Sequence, residues 1–421
     1  MNPVLALGLL AVVGLLATRL PRWPARHPLN LDLVLAAGGP LVLLGLVLGP
    51  GIDLINRPVL RALAPVTALA IGWIGATLGA RFEWRYVRRI PRDVSLLALA
   101  SAGATALTVA VGAWLLARLI PALGAAWVPQ VAAVLTLAAV AAASGPEAVT
   151  LVARMLGIRR SVAQVFSLAA ALETACGALL MTVLLALYRP HALAGHGALG
   201  WAYWIAFAIG SGALVGLVFL SLTRLRPAPD GLGFALLATL LFGAGIGYAT
   251  DLSPFVVCAL AAVVIVNRSP WRRQLRQLLA DWEHSIYAVF LVVAGALLTL
   301  PTAWVFVAAL LLAALRVAAR WASVRYARVA LKITDVAPHV GLATVAQGGA
   351  AMALGINSFI MYGGRPESPG AGGAVLTTIV LAVAVAQLAA PSLMQLALRP
   401  GAARLTPAPT GPELTSNAPA D

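Results

Sequence analysis

Acid and cysteine are scarce in this chain. Its 421 residues include 14 Asp or Glu and two cysteines, Cys176 and Cys258. Both cysteines sit in apolar runs, which excludes a disulfide framework or a cysteine-based metal spacing. Charged residues make up 10% of the chain, against roughly 25% in a soluble domain. The five histidines, His27, His191, His196, His284 and His339, fall at loops or helix ends, so no metal role is assigned to them. The sequence has no His-Glu-x-x-His pair, no Gly-x-Ser-x-Gly elbow and no Asp pair on adjacent helices. Neither an enzyme nor a cofactor is expected.

Apolar residues fill the space instead: the chain is 61% hydrophobic with a mean hydropathy of +0.94. A soluble fold of this length could not cover so much apolar surface, so the bilayer is its solvent. A net charge of +15 would suggest nucleic acid in a soluble protein, but here the placement of the charges decides. Cutting at charged, Pro-rich and Gly-rich breaks predicts about thirteen spans. They lie near 2–18, 30–49, 63–80, 94–117, 128–153, 162–188, 199–223, 232–249, 252–267, 284–300, 303–324, 338–361 and 372–398. The first lacks a basic start and a clear cleavage site, so it reads as a span and not as a signal peptide.

Suppose the N-terminus is outside. Five of the 29 Lys and Arg then fall in outside segments: Arg57, Arg61, Arg118, Arg189 and Arg365. Arg316 and Arg320 lie within the eleventh span, and the remaining 22 fall in inside segments, every one of which is basic. That is the bias that orients membrane proteins. The expected product is an all-α polytopic protein of the cell inner or plasma membrane, N-terminus out and C-terminus in. Residues 1–398 read as one transmembrane domain, and 399–421, rich in Pro, Ala and Thr, as a disordered cytoplasmic tail.

Residues 127–190 contain what lipid penalises most. The first helix there, WVPQVAAVLTLAAVAAASGPEAVTLVARMLG, is interrupted by Ser144-Gly145-Pro146-Glu147. The second, SVAQVFSLAAALETACGALLMTVLLALY, has Glu173-Thr174 near its middle. A charged group at the bilayer centre costs roughly 2.5–3.5 kcal/mol on insertion scales, and a Pro and Gly inside a span free carbonyls that must find partners other than lipid. When the acids are sorted along the spans, Glu147 and Glu173 remain inside the membrane and the others fall at loops, helix ends or the tail.

This order of features resembles the monovalent cation/proton antiporter superfamily. Ser144-Gly145-Pro146 matches the family's first broken-helix motif, and Gly145 stands where the family has Asp or Ser. Glu173-Thr174 falls on its carboxylate pair, with Thr174 at the position of the exchanging carboxylate. Arg316 matches the basic residue of the eleventh span, with Arg320 one turn on. GLVLGPGIDL (45–54), GATLGARFEWRYVRR (75–89), GIGYATDLSPFVVCALAAVVIVNRS (245–269) and YAVFLVVAGALL (287–298) look like other family segments. GLATVAQGGAAMALG (341–355) looks like the second broken helix, opened at Gly348-Gly349. The resemblance implies inverted repeats with two crossed broken helices. It also implies a mobile core of spans four to six and eleven to thirteen, and a dimerising scaffold made of the rest. The implied activity is exchange of Na⁺ or K⁺ for protons, in a homodimer.

Each candidate residue has a plainer reading beside this one. Glu173 is either a structural partner for Arg316 or a site for which a proton and a cation compete, with Thr174, Ser144 and freed carbonyls adding oxygen ligands. Thr174 alone can be a back-bonding hydroxyl. Glu147 is either a carboxylate complementing a helix N-terminus or a displaced ion ligand or second proton carrier. Arg316 is expected to have a carboxylate partner, and Arg320 to snorkel toward the cytoplasm. Trp127, Trp201, Trp204 and Trp271 read as interfacial anchors. Gln347, Asn357 and Ser358 either line a pathway or make helix–helix hydrogen bonds. A non-transporting scaffold or sensor is the alternative for the whole chain.

Overall fold

The computed structural model describes residues 39–52, 54–55, 57–88, 90–187, 197–225, 229–299, 301–333, 337–363 and 371–398, with a few positions between 5 and 12. The expected first span lies almost wholly outside these residues, and the tail 399–421 entirely so. Among the described residues every regular element is helical. In order they are α1 (Gly39–Leu46), continued by a wide turn at Val47–Gly51, α2 (Arg57–Ala62), α3 (Ala64–Gly79), α4 (Trp84–Val87) and α5 (Arg92–Leu119). Next come α6 (Pro121–Ala126), α7 (Gln130–Ala142), α8 (Pro146–Met155), α9 (Arg160–Leu187), α10 (Gly197–Leu222) and α11 (Pro229–Ala249). The chain continues with α12 (Pro254–Arg268), α13 (Arg272–Ala296), α14 (Trp304–Ala330), a 3₁₀ turn at Val340–Thr344, α15 (Gly349–Gly363) and α16 (Ala371–Ala397).

Seven helical segments of the described residues are long and apolar enough to cross a membrane, or eight if the bent α13 is one span. The turns between helices follow local chemistry. Asp251 takes a left-handed conformation, φ 53°, between α11 and α12. The Ser253 hydroxyl then accepts the Val256 amide at 3.4 Å and caps α12, whose first residue is Pro254. Serine at the cap and proline just inside it satisfy or remove amides that the first turn leaves free.

The helices pack in two groups. In one, α5 lies against α14, α7 and α9, while α16 lies against α14, α15 and the 3₁₀ turn. In the other, α3 is central, packed on α12, α11 and α13, with α10 against α12 and α1 against α13. The central crossing of this second group is set by Gly75 and Gly79, four residues apart on one face of α3. A Cβ at either would lie 2.1 Å from a backbone carbonyl of α12, Phe255 O or Ala259 O. Small residues at this spacing let membrane helices approach to backbone contact.

Two expectations fail here. The basic stretch 268–283 was expected as a loop before a span at 284–300, yet it is helical from Arg272 and bends by 41° between Glu283 and Ser285. Leu275 and Leu279, one turn apart, bury a face of it. On another face Arg276 and Arg272 reach Glu83 at 2.7 and 3.5 Å. Trp127 and Trp204 are buried in helix–helix contacts and are not interfacial anchors. The Trp127 ring lies in the same apolar cluster as Leu123, at the end of α6, which packs on α5, α14 and α16.

Gly75→Ala should lower the thermal midpoint of the purified protein, by the equivalent of about 1–3 kcal/mol for forced overpacking. Gly103→Ala is the control. That position in α5 has no atom within 4 Å of the added carbon, so it should be neutral or stabilising by about 0.4–1 kcal/mol.

Candidate functional site

The site is built where two helices stop inside the first group. α7 ends at Ala142, residues 143–145 are extended, and α8 restarts at Pro146. In the second region the 3₁₀ turn ends at Thr344, residues 345–348 are non-helical, and α15 starts at Gly349. The two breaks lie against each other: the Gly145 amide donates to Ala346 O at 2.9 Å. A Cβ on Gly145 would sit 2.4 Å from the Gly348 nitrogen. No side chain fits there, which accounts for glycine where an Asp or Ser was expected.

Stopping α7 in a dry bundle leaves its last carbonyls without intrahelical donors. Two arginines of α14 and one glutamine supply them. Arg316 Nε donates to Ala141 O at 2.9 Å, Nη2 to Ala143 O at 3.1 Å, and Nη1 to Val345 O of the other break at 2.7 Å. Arg320 Nη2 donates to Ala142 O at 2.8 Å and lies 3.4 Å from Ala141 O. Gln347 Nε2 reaches Val140 O at 3.0 Å and Ala143 O at 3.3 Å. Positive charge at this end also suits the helix dipole.

Glu173 of α9 sits at the centre of the same cluster, 2% exposed. Its Oε2 is 2.6 Å from Arg320 Nη1 and 2.7 Å from Ser144 Oγ, and its Oε1 accepts from Thr344 Oγ1 at 3.1 Å. The Ser144 hydroxyl is equally 2.7 Å from Thr344 O, and it lies 3.4 Å from Arg316 Nη2. Arg320 Nη1 also donates to Thr344 Oγ1 at 3.1 Å. Thr174 Oγ1 lies 2.7 Å from Ala170 O and also contacts Ser144 O. It therefore ties α9 to the first break as well as bonding back along its own helix.

Neither arginine takes the part expected of it. Arg320 is the ion-pair partner of Glu173 and is fully buried, so it does not snorkel; Arg316 bonds to carbonyls and the Ser144 hydroxyl. The reason is register: Arg316 meets the end of α7, while Arg320, one turn further along α14, comes level with Thr344 and Glu173. Thr344 itself was not singled out in the sequence. Its place three residues before Gln347, just ahead of the second break, was the available signal.

Glu147 stands apart from the cluster. It lies in the first turn of α8 beside Gly348, where a Cβ would come 2.1 Å from its Oε1. That oxygen is buried with no hydrogen-bond partner among the described residues. Asn357 is likewise buried without a side-chain partner, whereas Ser358 Oγ meets Thr136 Oγ1 at 3.4 Å. Two cavities flank the cluster. One, of about 40 Å³, reaches Glu173 and Thr344 between Leu97, Phe166 and Val324. The other, of about 30 Å³, reaches Arg316 and Gln347 between Val109, Leu137 and Leu312. Each exceeds the roughly 10–15 Å³ that one water needs.

Interrupted helices meeting at buried charge within an all-helical membrane bundle are an arrangement that many secondary-transporter folds share. The chain has, more narrowly, the fold of a sodium proton antiporter. It is similar to MjNhaP1 from Methanocaldococcus jannaschii at pH 8, with a TM-score of 0.68 and 15% identity over 95% of this chain and 98% of that one. A 3D electron-microscopy structure of the same antiporter aligns with a TM-score of 0.66 and 16% identity over 94% and 99% of the two chains. No protein-family model and no curated protein matches the chain.

Glu173→Gln leaves Arg320 buried without a counter-charge, and the expected loss is about 3–5 kcal/mol, read as a fall in thermal midpoint. Arg320→Met should cost more, since it also removes the donor to Ala142 O. The double variant should be less destabilised than the sum of the two single losses by the ion-pair part; simple addition would remove the ion pair as a source.

Proposed function

We propose that the chain exchanges a monovalent cation, Na⁺ or K⁺, for protons by alternating access. The observation that carries this reading is a membrane-buried carboxylate held where two helix breaks meet, among hydroxyl and freed carbonyl oxygens. Hard cations take oxygen ligands, and Glu173, Ser144, Thr174 and Thr344 bring such atoms together at the break. Glu173 has two ways of losing its pairing with Arg320: it takes up a proton, or it turns to an incoming cation. One site that serves both ions at different times suffices for exchange once its two faces open in turn.

The wider architecture of this reading is a thirteen-span, N-out chain working as a homodimer in the cell inner or plasma membrane. Its support is the basic bias of the inside segments, the long apolar helices and four shorter ones, Gly39–Gly51, Ala64–Gly79, Pro254–Arg268 and Gly349–Met361. The division of the packing into two groups supports a core holding the site that moves against a scaffold, and the fold shared with a sodium proton antiporter supports the ion class. One observation favours the alternative of a non-transporting scaffold or sensor. Glu173 already has an ion pair and two hydroxyl partners, so it is fully satisfied as it stands.

Proteoliposomes with an entrapped pH dye separate the two readings. Steps of NaCl, KCl or LiCl should move protons in the wild type, and no movement with any of them would leave the scaffold reading. Glu173→Gln should abolish the movement. The Glu173→Gln/Arg320→Met double variant should be equally inactive, so that lost flux is not lost fold. Thr174→Asp should strengthen cation dependence by adding a carboxylate beside Ser144 O. If Glu173→Gln transports like wild type, Glu173 is not the exchanging group, and Glu147→Gln should then be the variant that loses flux.

A further inference from the structure

We infer that Arg316 is a tethered cation: its guanidinium covers a set of oxygens at the two breaks that binds a hard monovalent cation when Arg316 withdraws. The set is Ala141 O at 2.9 Å, Val345 O at 2.7 Å, Ala143 O at 3.1 Å and Ser144 Oγ at 3.4 Å. Three of the four are main-chain carbonyls from both interrupted segments, and the fourth is a hydroxyl. Main-chain carbonyls of this kind replace the hydration shell of K⁺ in channel filters. Divalent ions favour carboxylate ligands, and the carboxylate in this cluster, Glu173, is bound to Arg320 at 2.6 Å. The oxygens therefore select a single charge.

Charge and space both assign this part to Arg316 and not to Arg320. Arg320 has Glu173 as its counter-charge. Arg316 is 3% exposed and makes its hydrogen bonds to uncharged oxygens at the carbonyl end of α7. Two guanidiniums thus face one carboxylate in the cluster, so a metal ion arriving with Arg316 in place meets repulsion. The cavity of about 30 Å³ beside Arg316, which Gln347 and Thr378 line together with Val109, Leu137 and Leu312, gives the guanidinium space next to two polar side chains when it leaves the carbonyls. The proposal takes its candidate ions from the exchange reading, but binding is measured without flux.

The test uses the purified full chain and its thermal midpoint in NaCl, KCl or LiCl, with choline chloride holding ionic strength constant. In Arg316→Gln the cation concentration giving half of the full shift should fall about tenfold or more below that of wild type. Adding Ser144→Ala to that variant should raise it again several-fold. Equal cation dependence in wild type and Arg316→Gln overturns the proposal. So does a gain that Ser144→Ala leaves untouched, because charge removal alone would then account for it. If Arg316→Gln does not fold, Arg316→Lys keeps the positive charge in place and should respond to cations no more than wild type; a stronger response overturns the idea. Wild-type flux without Arg316-dependent binding removes this proposal alone. Arg316-dependent binding without wild-type flux removes the exchange reading and leaves the tethered cation standing.

Discussion

A helix that ends inside an apolar bundle must hand its last carbonyls to someone else's donors, and the end of α7 is where this protein meets that demand. Ala141, Ala142 and Ala143 have their carbonyls covered by Arg316, Arg320 and Gln347, and Gln347 adds to the Ala143 amide at Val140 O. Each carbonyl left bare in so dry a setting would cost roughly 2–7 kcal/mol. None of the three donors is local to α7. They come from α14 and from the second break, so α7 can stop at Ala142 only once those elements have packed against it. The first helix group is in this sense held together by a polar accounting problem, and its apolar contacts close around the solution.

The same residues set the electrostatics of the centre. Guanidiniums stay protonated in proteins, so in the exchange reading any change of charge in the cluster falls to Glu173. Its three partners come from three different segments: Ser144 in the first break, Thr344 before the second, and Arg320 on α14. A change in its charge is therefore felt at both breaks and on α14 together. In the exchange reading this is what couples ion binding to movement, since the segments that would have to shift are those the carboxylate joins. Glu147, in the first turn of α8 beside Gly348, has a buried oxygen with no hydrogen-bond partner among the described residues.

Much of this was legible before any coordinates. Composition required a membrane, apolar run lengths required helices, and proline and glycine at Gly145-Pro146 and Gly348-Gly349 marked where helices break. A glutamate within an apolar run marked Glu173, because such a residue is costly unless something nearby holds it. The errors share one origin. Arg316 and Arg320 are a single turn apart and chemically identical, so which of them meets Glu173 depends on the axial register of α14 against α9. Trp127 looks interfacial by position but is buried, because α6, which it follows, packs on α5, α14 and α16. The basic stretch after Arg268 looks like a loop by charge but is helical, because its leucines recur at a helical interval and Glu83 pairs with two of its arginines.

Hydropathy and backbone chemistry are local properties, and they determined on their own that this is an all-helical membrane protein with two interrupted segments and a carboxylate within an apolar span. The tertiary structure alone decided the pairings: Glu173 with Arg320, Arg316 with carbonyls of both breaks, and Gly145 against Gly348. These depend on how far one helix slides along another. A helix repeats every 3.6 residues, so neighbouring turns of the same helix offer nearly the same face. Only the summed packing of the whole bundle chooses between them.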